Sequence, residues 1–106
     1  MEQRKHRRYR FLCEIRFPGK EESVAGTVSD LSTGGCKVVS EASLYVGMYL
    51  ALEICPLGQE ATLKVDQAAV RWARKEEFGL EFTSMRPEEE ERLRDVVGSL
   101  RAGQSH

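Results

Sequence analysis

At 106 residues the chain has room for one domain. Hydrophobic residues make up 41% and charged residues 31%, enough apolar matter to bury a small core and too much for a disordered chain. The formal net charge of -1 argues, as a total, against a basic nucleic-acid-binding protein. The charge is unevenly spread, however. Residues 1–20 carry seven basic and two acidic groups, a balance of +5, whereas residues 21–106 carry nine basic and fifteen acidic groups, a balance of -6. A basic N-terminal stretch precedes an acidic body.

No apolar run approaches the roughly 18–20 residues that span a bilayer. The segment from Phe11 to Phe17 is broken by Glu14 and Arg16, so it is no signal-peptide core, and a cytoplasmic location is expected. Cys13, Cys36 and Cys55 are odd in number and form no C-x-x-C pair. Three buried thiols are expected rather than a disulfide framework or a zinc site. The two histidines, His6 and His106, lie at the chain's extremes and support neither a metal site nor a nucleophile–histidine arrangement. No cofactor and no enzymatic activity are expected.

From Tyr9 to Phe17 the odd positions are Tyr9, Phe11, Cys13, Ile15 and Phe17, a period of two that predicts a half-buried strand ended by Pro18-Gly19. A second strand is predicted over Ser23 to Ser29, with Val24 and Val28 on one face. Asp30-Leu31-Ser32-Thr33-Gly34-Gly35 reads as a tight turn, in which Asp and Ser side chains cap the backbone and glycine takes positive φ. A third strand runs from Cys36 to Val39. Met48, Leu50, Leu52 and Ile54 alternate in a fourth, closed by Pro56 and Gly58. Ala61, Leu63 and Val65 open a fifth that resumes through Val70 and Trp72 to Arg74, with Trp72 expected in the core. Phe78, Leu80 and Phe82 make the sixth. Strands at this spacing predict a small antiparallel barrel or sandwich, because an open sheet would leave edges exposed.

The period then changes. Pro87 suits a first helical turn, and Glu88–Glu91 sit where the helix dipole favours negative charge; they read as a solvated face. Leu93, Val96, Val97 and Leu100 form one apolar stripe for docking on the strands. Residues 102–106 are expected to fray.

Two motifs remain. Arg4-Lys5-His6-Arg7-Arg8 has R-x-x-x-R spacing just before the first strand, and Asp30 to Gly35 has D-x-S-x-x-G spacing at the turn. In this order, and followed by the Val70-Arg71-Trp72 and Phe78-Gly79-Leu80-Glu81-Phe82 strands and a closing helix, they resemble the PilZ domain, which binds cyclic di-GMP. The resemblance covers Arg4 to about Leu100. It implies a mainly β fold, a small six-stranded antiparallel β-barrel at residues 9–101 with a C-terminal helix, preceded by a flexible basic ligand-binding arm at residues 1–8.

Residue by residue, the resemblance implies that Arg4 and Arg8 are the two ligand-binding arginines and that Asp30, Ser32 and Gly35 are the turn residues. Arg7, Gly34, Arg71 and Gly79 are secondary candidates. The chemistry agrees. A guanidinium is a planar fork that holds guanine O6 and N7 together, takes a phosphate, or stacks on a purine. A carboxylate at Asp30 accepts from a guanine N1–H and N2–H₂ edge, Ser32 can bond base or phosphate, and a glycine at position 35 admits close approach of a ligand. The chain departs from the family pattern at Arg7, where a small residue or proline is common, and Gln3 lies two positions from the chain start; ligand stoichiometry, one or a stacked pair, stays open.

The expectation is a stand-alone cyclic di-GMP receptor whose arm orders on binding and which, with no output domain, signals through an unidentified partner protein. Control of motility, pili or exopolysaccharide is what the resemblance implies. Two alternatives stand beside it. A small barrel with a basic arm can bind single-stranded nucleic acid, although aromatics at 8% that alternate as core residues offer no stacking platform. A PilZ-like protein-interaction adaptor is the other, marked by loss of the arginines that are present here.

Overall fold

The computed structural model describes residues 10–17, 21–56 and 62–104. Six strands are followed by one helix: β1 (Phe11–Arg16), β2 (Ser23–Ser29), β3 (Gly35–Ser40), β4 (Tyr49–Cys55), β5 (Leu63–Arg74), β6 (Glu77–Ser84) and α1 (Pro87–Gln104). The strands close into a barrel in the order β1-β2-β3-β6-β5-β4, every pairing antiparallel. Closure rests on β1, which pairs β2 on one side and β4 on the other. A barrel, not a sandwich, is how this chain removes its sheet edges.

Alternation places the core. Phe11, Cys13 and Ile15 face inward from β1, with Val28 and Val38 across the ladder and Leu50, Leu52, Ile54, Leu63, Val65 and Val70 from β4 and β5. Each such aliphatic side chain contributes roughly 1.5–3 kcal/mol when fully buried. The apolar stripe of α1 docks as its spacing predicts: Leu93 and Val97 are buried, and Val96 and Leu100 pack against the same cluster.

The first turn of α1 is more than a solvated acidic run. Glu89 has a side chain only 12% exposed, accepts the Lys64 backbone N–H at 3.0 Å and pairs with Arg92 at 3.2 Å. It therefore fastens the helix to the start of β5, while Glu88, Glu90 and Glu91 stay exposed.

Three expectations are corrected by the strand geometry. Cys13 and Cys36 are buried, but Cys55 points outward at the end of β4 and is exposed. Trp72 is 41% exposed rather than in the core. The cause is a β-bulge: Val70 pairs Leu80 and Trp72 pairs Gly79, so Arg71 is an extra residue on β5. One extra residue shifts the alternation by one, and the side chain that would follow Val70 inward faces out instead. Tyr45 (65%) and Tyr49 (50%) are exposed as well, so the aromatics are not uniformly core residues.

Candidate functional site

The β2–β3 turn is built from its own polar groups. The Ser32 backbone N–H donates to Gly35 O at 2.9 Å, and Ser32 Oγ donates to the same oxygen at 3.2 Å. Ser32 Oγ also accepts the Gly34 and Gly35 N–H groups, each at 3.2 Å. One hydroxyl thus uses its donor and both lone pairs inside the turn. Outside it, the Phe82 N–H donates to Gly34 O at 2.9 Å, tying the turn to β6.

The positive φ of this turn belongs to Asp30 (51°), not to either glycine. Aspartate visits this left-handed region more readily than most residues, and here it projects its carboxylate outside the barrel wall. The two glycines differ in what they face. A Cβ on Gly35 would overlap the Leu80 carbonyl oxygen, so β3 needs glycine there to approach β6; around a Cβ on Gly34 there is nothing within 4 Å.

Below the turn, outward positions of three strands form one row. Lys37 on β3 pairs Gly79 on β6, and Gly79 pairs Trp72 on β5. The indole of Trp72 lies over Gly79, in space that any side chain at 79 would fill. Around this row lies a concavity of about 280 Å³ lined by Asp30, Cys36, Lys37, Arg71, Trp72, Gly79 and Leu80. Asp30, Arg71 and Gly79, separated by up to half the chain in sequence, are brought to one hollow by the β3-β6-β5 order.

Charges in the hollow are arranged in pairs. Lys37 Nζ lies 3.7 Å from Asp30 Oδ2. Arg71 is committed to Glu81, donating from Nε to Oε1 at 2.5 Å with Nη2 paired to the same oxygen. Burial pushes the Cys36 thiol, on the floor, far above its ordinary range, with the nearby Cys13 adding to the shift. That thiol is a wall atom and not a nucleophile. Among the described residues no group of three or more His, Cys, Asp or Glu could hold a metal ion.

Arg4, Arg7 and Arg8 lie outside the described residues. Ser32, Gly34 and Gly35 belong to the turn above the hollow and do not line it. Lys37 and Trp72 were the residues that sequence reasoning undervalued. For Lys37 the signal was present: two positions beyond Gly35 in a strand, it shares Gly35's outward face beside the turn. Nothing in the residue order announces the bulge that turns Trp72 out. Tyr45 and Tyr49 line a different groove, with Phe17, Val24, Ala42, Ser43, Gly47 and Met48. Among the described residues, the exposed aromatics are thus divided between two hollows with no lining residue in common.

The family model for the PilZ domain matches residues 2–99. Among solved structures, the PilZ domain with c-di-GMP of YcgR from Escherichia coli superposes with a TM-score of 0.68 at 19% identity, covering 96% of this chain and 94% of that one. The crystal structure of YcgR in complex with c-di-GMP from Escherichia coli gives a TM-score of 0.68 at 22% identity, covering 92% of this chain. The match spans 46% of that longer chain. A search of curated protein sequences found no match.

Proposed function

The chain belongs to the PilZ domain family, and on that premise we propose that it is a cyclic di-GMP receptor whose site is the Asp30–Gly35 turn together with the hollow beneath it. The observation that carries this reading is the convergence of Asp30, Lys37, Arg71, Trp72 and Gly79 on one concavity directly below the D-x-S-x-x-G turn. The likeness to YcgR structures holding c-di-GMP supports it.

In this mechanism the Asp30 carboxylate accepts from a guanine N1–H and N2–H₂ edge. Arg4 and Arg8, carried by the basic arm, close over a guanine face and a phosphate from the other side. Arg7 and Gly34 flank those contacts. Trp72, already outside the barrel, offers an apolar face against which a purine can rest. Ser32 and Gly35 serve chiefly to hold Asp30 in its left-handed conformation, Ser32 through its three hydrogen bonds and Gly35 by letting β3 close on β6. Ordering the arm costs entropy, so the affinity is the surplus left after that cost. The closed arm is a new surface, and the signal passes through a partner protein that reads it.

Calorimetric titration of cyclic di-GMP into the wild type and the Arg8→Ala and Asp30→Ala variants tests this. Binding that either substitution weakens about tenfold or more, roughly 1.4 kcal/mol, is the expected result. Absence of heat with the wild type, alongside tight and steeply salt-dependent binding of a single-stranded oligonucleotide, would overturn it.

A further inference from the structure

Two cations line the hollow, and they are not equivalent. Arg71 has a side chain 57% exposed, and its guanidinium is occupied twice over by Glu81, itself 52% exposed. It stands at the rim as one half of a surface ion pair. Lys37 has a side chain only 21% exposed and reaches toward Asp30, stopping 3.7 Å from Oδ2. That separation is an ion contact longer than a good hydrogen bond. The pair is loose where the Arg71–Glu81 pair is tight.

Position makes the difference useful. Lys37 sits in the row between Ser29 and Gly79, so no side chain stands beside it on the β6 side except the indole that lies over Gly79. Its ammonium rides on a flexible four-carbon stem with three donors and can be re-aimed without moving the backbone.

We propose that Lys37 is the barrel's own phosphate-binding cation: on ligand entry its ammonium leaves Asp30 for a phosphate oxygen of the dinucleotide, while Asp30 takes the guanine edge. This rests on the cyclic di-GMP reading of the site. The exchange is electrostatically economical. Asp30 is 46% exposed and Lys37 21%, so parting them costs little, and here each member of the pair trades an internal partner for a ligand group in the same step. Before binding, the pair holds both side chains at the mouth of the hollow. After binding, the barrel contributes a positive charge of its own, independent of the arginines on the arm.

The test is titration of cyclic di-GMP into the full chain, its Lys37→Met, Lys37→Arg and Lys64→Met variants, and Lys37→Met in an Asp30→Asn background, each over a salt series. Lys64 is an exposed β5 lysine outside the hollow and serves as the control. Lys37→Met is expected to weaken binding about tenfold or more and to make what binding remains less sensitive to salt. Lys37→Arg should keep most of the affinity, and Lys64→Met all of it. The loss from Lys37→Met should persist in the Asp30→Asn background. Equal binding by wild type and Lys37→Met would overturn the proposal while leaving the receptor reading standing. So would a loss that disappears once Asp30 is replaced, because Lys37 would then act only by positioning the carboxylate. A wild type that takes up no ligand would remove the receptor reading and this inference together.

Discussion

The indole of Trp72 lies across Gly79, its cross-strand partner, so closely that a methyl group at position 79 would overlap the ring from Cδ1 to Cε2. The contact exists because the bulge at Arg71 brings Trp72 to the outer face, where the only neighbour on β6 has no side chain. Glycine 79 is therefore explained by packing, whether or not a ligand approaches it.

Gly79→Ala must push the indole off the β6 backbone. Overpacking of this kind costs about 1–3 kcal/mol, and the chain's single tryptophan reports the move directly. Urea unfolding should show the loss, and the emission maximum should shift to longer wavelength as the ring enters water. An unchanged spectrum would mean that the ring does not rest there.

The two glycines of the turn should behave oppositely. Gly35→Ala drives a methyl group into the Leu80 carbonyl oxygen, so the β3–β6 ladder must open by a measurable amount; a loss of about 1–3 kcal/mol is expected. Gly34→Ala meets open space and should stay within about 0.5 kcal/mol of the wild type. Chemical denaturation of the two variants side by side decides it.

Ser32→Ala removes the acceptor for two backbone N–H groups and one donor to Gly35 O. Ser32 and Gly34 are exposed while Gly35 is buried, so water replaces only part of this, and the net cost should be about 1–2 kcal/mol. Amide exchange at Gly34 and Gly35 should quicken more than at residues of β1, a contrast that separates a local effect on the turn from global destabilisation.

The thiols supply a pH dependence. Burial, with a smaller contribution from Cys55, raises the Cys13 thiol from an ordinary value of 9.0 to about 11. Cys36 is raised further by burial and by Cys13. In this window the unfolded chain loses protons that the folded chain keeps, so stability falls as pH rises. The contribution is fully present below pH 9.0 and is lost on the way to about 11. The slope is at most about 1.4 kcal/mol per pH unit for each thiol. Urea midpoints across that window should fall, and less steeply in the Cys13→Ala variant. A thiol reagent at neutral pH should label Cys55 in the native protein and reach Cys13 and Cys36 only on unfolding.

Much of this architecture was legible in residue order. The period-two runs at Phe11–Ile15, Leu50–Ile54 and Phe78–Phe82 locate strands because a half-buried strand must alternate. The stripe at Leu93, Val96, Val97 and Leu100 locates the helix and its docking face for the same kind of reason. Asp30 and the turn were visible as turn chemistry, although its left-handed residue proved to be the aspartate. What stayed hidden depends on pairing. The pairing of β1 with β4 that closes the barrel and the bulge at Arg71 depend on which strand lies beside which, and side-chain periodicity carries no record of that; the outward Cys55, by contrast, follows from the same alternation that turns Leu50, Leu52 and Ile54 inward. Lys37 lies between the two cases: its face could be read, its ion pair with Asp30 could not.

The β3-β6-β5 order has a consequence for when the hollow comes into being. A growing chain has both arginines and the whole turn by residue 35, yet its hollow has no far wall until Gly79 and Trp72 have been made and the β5–β6 hairpin has closed on β3. Nascent or clipped chains therefore display the family signature without the receptacle. On the receptor reading, a chain stopped short of β6 carries the two motifs but not the hollow that would hold a ligand.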